Sequence, residues 1–276
     1  MAICLPNLKD ILRITMTAYQ TDLKDDIYFV AVGSGQGFFD TVGKTRRRGI
    51  EAGLKGSLDR FHFGLNYGLT DATFQDDFLM FSDDNSSGVY IPGLGNSVIN
   101  VKPGDKMPGV SMHNLNATLS YDLTDSWNVG LTMVAHSDSF VRGNENNEHK
   151  VGVSRTFNSV RLIDDGAGNL IPDVFTRTLQ PTTNPGKVPG YATFNLQTSY
   201  RISKEWTATM LVTNLFDKDY FTAGRLGRNP FSPSVAGKVG PDGYNHNSDD
   251  WRSTNFISPG APRGVWFSLN WRFQPD

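Results

Sequence analysis

The chain has 276 residues, enough for one large domain or two small ones. Its 26 basic and 28 acidic side chains leave a formal charge of −2, which excludes a strongly basic phosphate-tracking nucleic-acid binder. Eighteen Phe, nine Tyr and five Trp are too many for a disordered chain, and the lone Cys4 excludes an intrachain disulfide framework. The apolar run 27–32 stops at Gly33, and no stretch approaches the ~20 apolar residues of a membrane-spanning helix. The first ten residues have no basic segment leading into an apolar core, so they predict no secretory signal, and residues 1–7 do not read as strand.

Taken in chain order, the sequence predicts eight strands, at roughly 10–31, 38–57, 61–74, 110–122, 127–141, 190–202, 206–216 and 263–273. Their dominant period is two. Ala192, Phe194, Leu196, Tyr200 and Ile202 share one face, interrupted by Thr198, while Asn195, Gln197 and Ser199 occupy the other. The same alternation runs through Phe61–Leu69, Leu115–Leu123, Trp127–Met133 and Val265–Phe273.

The connections alternate in length. Ser57–Arg60, Thr124–Ser126 and Ser203–Glu205 are tight turns, whereas 76–108, 143–188 and 221–261 are long and rich in Gly, Asn, Asp and Pro. Short turns at one end and long loops at the other predict an all-β fold, an antiparallel up-and-down transmembrane barrel segment. The alternation alone also admits a soluble sandwich acting as a ligand-binding module, or a different small outer-membrane barrel or porin.

Aromatics collect at the short-turn end: Tyr121 and Trp127 flank one turn, Tyr200 and Trp206 another, with Phe61, Trp271 and Phe273 at matching strand ends. These seven are expected to form an interfacial girdle, ring in lipid and polar tip in water.

Motifs for chemistry are sparse. His62, His113, His136, His149 and His246 are dispersed without the clustering a zinc site needs. Gly33-Ser-Gly-Gln-Gly37 lacks dinucleotide-loop spacing and reads as a strand-to-strand turn. His113 and Asn114 are adjacent, so they face opposite sides of one strand and cannot share a barrel-wall esterase site. No enzyme and no cofactor are expected. The last long loop offers candidate ligand contacts in Arg225, Arg228, Tyr244, His246, Trp251 and Arg252, mixing aromatics with Arg.

Several segments resemble TonB-dependent outer-membrane receptors. Val212-Thr-Asn-Leu-Phe-Asp-Lys-Asp-Tyr220 resembles their penultimate strand, Lys187-Val-Pro-Gly-Tyr191 the entry to the strand before it, and Ser258-Pro-Gly-Ala-Pro-Arg263 the entry to the last. Val42-Gly-Lys-Thr-Arg-Arg-Arg-Gly-Ile-Glu51 is similar to a recurrent strand of the family, and Asp25-Asp26-Ile27 fits the one before. The resemblance implies the C-terminal part of a larger barrel in the outer membrane, without the plug and early strands. It implies as partners outer-membrane lipid, the absent N-terminal part, TonB only through the plug, and a siderophore or other scarce nutrient. Nucleic acid is not among them.

Overall fold

The computed structural model describes residues 12–32, 36–82, 84–91, 95–179, 181, 185–233, 239–246 and 251–273. The predicted non-barrel start at 1–7 lies outside them. Strands are numbered along the chain. Eight form one antiparallel sheet in sequence order: β1 (Leu12–Leu23), β4 (Thr45–Leu58), β5 (Phe61–Phe74), β9 (His113–Thr124), β10 (Trp127–His136), β15 (Tyr191–Arg201), β16 (Trp206–Thr213) and β19 (Gly264–Trp271). The sheet is open, with β1 and β19 as its edges.

The short turns close as expected. Leu58 pairs with Phe61 across a two-residue turn in which Asp59 takes φ 52°, and Trp127 pairs with Thr124. Asp tolerates this left-handed backbone because its short side chain can bond locally.

The first two predicted strands are corrected. The 10–31 prediction breaks after Leu23, where Asp25 turns at φ 52°, and the chain re-forms as β2 (Ile27–Val32). That strand pairs with β3 (Gln36–Thr41) in a separate hairpin, so the 38–57 strand is likewise two elements. Of the predicted turn at 33–37, Gln36 and Gly37 belong to β3, and residues 33–35 lie outside the described set.

The long connections are not structureless. The first folds as β6 (Phe78–Phe81), β7 (Val89–Ile91) and β8 (Gly95–Val101). The predicted 127–141 strand is also two elements: β10 ends at His136, and β11 (Ser139–Phe140) pairs outside the main sheet with β14 (Lys187–Val188) at the end of the second connection, which holds the hairpin of β12 (Arg155–Asp164) and β13 (Leu170–Leu179). The third holds β17 (Phe221–Asn229) paired with β18 (Arg252–Pro259).

The buried hydrophobic residues gather at the long-loop end. Tyr28, Val42, Ala72, Phe74, Met80, Ile99, Val101 and Met107 make one cluster, with Val141, Val188 and Leu226 a smaller second. The apolar sheet face carries no such cover: Leu119, Leu131, Tyr200, Val265, Phe267, Leu269 and Trp271 are all exposed. A sandwich would bury them against a second sheet. Here that face stays open while the long-loop end is packed.

Candidate functional site

The concave side is built from the polar alternates. Asn114 on β9, His136 on β10 and Tyr191 on β15 lie in register across three strands, as Asn114↔His136↔Tyr191. His136 Nδ1 is 2.6 Å from Asn114 Oδ1, its ring is 5.1 Å from Tyr191, and Tyr191 is 4.5 Å from Tyr220. With Thr70, Ser111 and Thr222 they line a cavity of about 330 Å3 at the long-loop end. Tyr19 Oη bonds Thr70 Oγ1 at 2.9 Å beside it. His113 turns to the other face, where its Nδ1 meets Tyr67 Oη at 2.7 Å. The adjacent pair is therefore split between faces, as the strand period requires.

A polar keystone closes the loops above this cavity. Asn85 is fully buried; its Nδ2 donates to Gly143 O and to Asn146 Oδ1, and its Oδ1 accepts from Ser87 N and Oγ. Arg155 from β12 donates to Asn85 O and to Ser97 Oγ. Glu145 is buried, accepting from Gly143 N at 2.9 Å and from Tyr28 Oη at 3.2 Å. Burial pushes its carboxyl above the usual range, against the pull of those donors and of Arg142. The Tyr28 phenol is raised too, first by burial and then by Glu145. Together these contacts tie the β6–β7 connection, the β11–β12 connection and the first hairpin into one unit.

Of the predicted loop contacts, Tyr244, His246 and Trp251 are brought together: Tyr244 lies 5.0 Å from His246 and 5.8 Å from Trp251, and Trp251 Nε1 donates to Asn245 O. The arginines lie on the β17–β18 hairpin. Arg225 and Arg228 are three apart on β17 and so face opposite ways; Arg225 is exposed, whereas half-buried Arg228 lies 3.6 Å from Asp84. Arg252 starts β18, opposite Asn229.

The seven short-turn aromatics fall into three contacting groups. Phe61 and Tyr121 are 4.5 Å apart, Trp127 and Tyr200 6.4 Å, Trp206 and Trp271 6.2 Å, and Trp271 and Phe273 5.6 Å.

One further constellation was not visible in the sequence. His62 bridges Ser57 Oγ at 3.0 Å and Asp122 Oδ2 at 2.8 Å on the concave wall. Asp122 also accepts from Asn128 Nδ2. Ser57 is exposed and the carboxylate is half-exposed, so the set lacks the buried orienting carboxylate of a nucleophile triad. Its evident work is cross-strand pairing. Among the described residues no three His, Cys, Asp or Glu side chains converge as a metal site.

The family model described as TonB dependent receptor-like, beta-barrel, matches residues 7–215. The chain belongs to that family. Members are outer-membrane proteins. Among solved structures the copper transporter OprC is similar at 15% identity and a TM-score of 0.53, covering 96% of this chain and 28% of that one. The siderophore receptor PiuA from Acinetobacter baumannii is similar at 14% identity and TM-score 0.51, covering 96% and 26%. The ferric citrate transporter FecA matches at 16% identity and TM-score 0.50, covering 95% and 29%. These likenesses are of fold. The chain spans 24% to 30% of the length of these and similar structures. No curated protein sequence matches it.

The TonB-receptor motifs now have physical reasons. Asn214, at φ 48°, donates to Lys218 O and Ala261 O while its Oδ1 accepts from Lys218 N; Asp217, at φ 52°, accepts from Arg263 N. Asp26 Oδ2 accepts from Thr45 Oγ1 and Arg47. Each motif pins the place where a strand leaves the sheet and enters the loops.

Proposed function

We propose that this chain is the C-terminal eight-strand sector of a receptor that takes up a scarce nutrient through TonB coupling. The observation that carries the reading is the inward cluster Asn114–His136–Tyr191 beneath a packed loop cap. It places hydrogen-bonding and aromatic groups at the mouth of the concave wall, where an incoming ligand first meets the lumen. An iron–siderophore complex fits such a surface, since its organic shell presents oxygen acceptors and flat rings. Tyr244, His246 and Trp251, with Arg225, Arg228 and Arg252, would add outer contacts. No catalytic step is assigned.

The edges β1 and β19 would join the remaining strands, because unpaired backbone in hydrocarbon costs several kcal/mol per group. The concave wall would hold a plug, through which TonB acts. The test is uptake in a receptor-deficient host given this chain alone or with the complementary N-terminal part. Uptake is expected only from the pair, and lowered by His136→Ala in that pair. Uptake by these 276 residues alone would overturn the sector reading.

A further inference from the structure

Three adjacent strands change character at one register on the convex face. On β1 the outward row runs Ile14, Met16, Ala18 and then Gln20, Asp22. On β4 it runs Leu54, Ala52, Ile50 and then Arg48, Arg46, and on β5 Leu65, Tyr67, Leu69 and then Asp71, Thr73. Gln20, Arg48 and Asp71 are direct cross-strand partners, so the switch is a level line. Asp71 lies ten residues beyond Phe61 of the aromatic row, about 33 Å along the strand at the usual rise. At the usual barrel tilt of about 40°, that is roughly 25 Å of height, the thickness of the apolar band of an outer-membrane barrel. The line therefore falls at the headgroup level opposite the short turns.

A cavity of about 350 Å3 sits on this line, lined by Arg46, Arg48, Lys106, Asp71, Thr73 and Gln75 among others. Three cations share it with one carboxylate. Asp71, its side chain only 15% exposed, pairs with both Arg48 and Lys106 and holds them side by side. Arg46 is held at 2.6 Å by Asp22. The Arg48 side chain stays 58% exposed, so its remaining donors face outward.

We propose that Arg46, Arg48 and Lys106 form a binding site on the outer wall for the phosphate of an outer-leaflet lipid headgroup. The lipid's acyl chains would lie down the apolar rows below, over Ile50 and Leu69. Arg gives directional paired donors to phosphate and Lys a point charge. The proposal rests on the convex face lying in the membrane and not on transport, so a failure of the uptake reading leaves its assay unaffected.

The assay is native mass spectrometry of the detergent-solubilised chain with phosphatidic acid, with diacylglycerol of the same acyl chains, and with inorganic phosphate as competitor. Phosphatidic acid should be retained at least tenfold over diacylglycerol and resist displacement by equimolar phosphate. R48Q/K106Q should reduce retention about tenfold, whereas D71N, which removes the competing carboxylate charge, should raise it severalfold. R13Q/K55Q, on the concave wall, should leave it unchanged and control for folding. Equal retention of diacylglycerol, displacement by free phosphate, or indifference to both R48Q/K106Q and D71N would overturn the site.

Discussion

The indole N–H of Trp127 donates to Thr198 Oγ1 at 2.8 Å, across the β10–β15 pair. Thr198 is the one polar interruption in the apolar row of β15, and its hydroxyl also donates to Asn128 O at 3.0 Å. Trp127 and the backbone thus satisfy the one hydroxyl of an otherwise apolar row. In a double-mutant cycle of W127F and T198V, unfolding by denaturant in detergent should show a coupling of about 0.5–1.5 kcal/mol. Strict additivity would show that the bond carries nothing.

Gly49 of the Gly-Ile-Glu motif sits where a Cβ would lie 1.9 Å from Leu69 O and 2.9 Å from Tyr19 Oη. Both neighbours are constrained, one by the ladder and the other by its bond to Thr70. Gly49→Ala should cost about 1–3 kcal/mol, the usual range for overpacking. Gly68→Ala, with open space around its Cβ position, is the control and should be near neutral in the same melts.

Asn85→Ala removes a buried amide that holds Gly143 O, Asn146 and Ser87 at once. The orphaned groups should cost about 1–3 kcal/mol locally. Limited proteolysis should then cut faster within 141–155 while the turns at 58–61 and 124–127 stay resistant. Uniform loss of resistance would mean that the cap and the sheet unfold as one.

Glu145 gives the cap a pH dependence with a definite sign. Its carboxyl is raised above the ordinary 4.5 by burial, so its stability contribution is full below that value and is lost as pH rises through the folded-state value. Hydrogen-exchange protection of amides 141–150 should therefore fall on going from mildly acidic to alkaline buffer. Glu145→Gln should flatten the profile. Protection that rises with pH in the unsubstituted chain would contradict the burial argument.

The eight staves of the sheet were legible because each has to present a period-two apolar row to one solvent. Leu115–Leu119 and Val265–Trp271 cannot be read as helix on that spacing. The break at Asp25 was not legible, since residues 12–23 and 27–32 are both strand-like and a positive φ at Asp leaves no apolar signature. The hairpin β12–β13 has no single-faced apolar row in the sequence, because its apolar residues fall on both faces, as adjacent Leu162 and Ile163 do. Asn144–His149 reads as a solvated polar run, and its burial depends on partners such as Asn85 and Ser86 that are distant in sequence. The inward site was hidden for a related reason. Asn114, His136 and Tyr191 are ordinary polar-face residues until the register aligns them. Arg225 and Arg228, grouped by proximity in the chain, are parted by the strand period.

The central claim is that the convex face lies in an apolar solvent and the concave face in a wet lumen. Nitroxide labels placed singly along Leu115–Ser120, in a chain whose Cys4 is replaced by Ser, test it most directly in detergent micelles. Oxygen accessibility should peak at Leu115, Ala117 and Leu119, and accessibility to an aqueous nickel chelate at Asn116, Thr118 and Ser120. Two faces equally shielded from both reagents, as in packed sheets, would contradict the account.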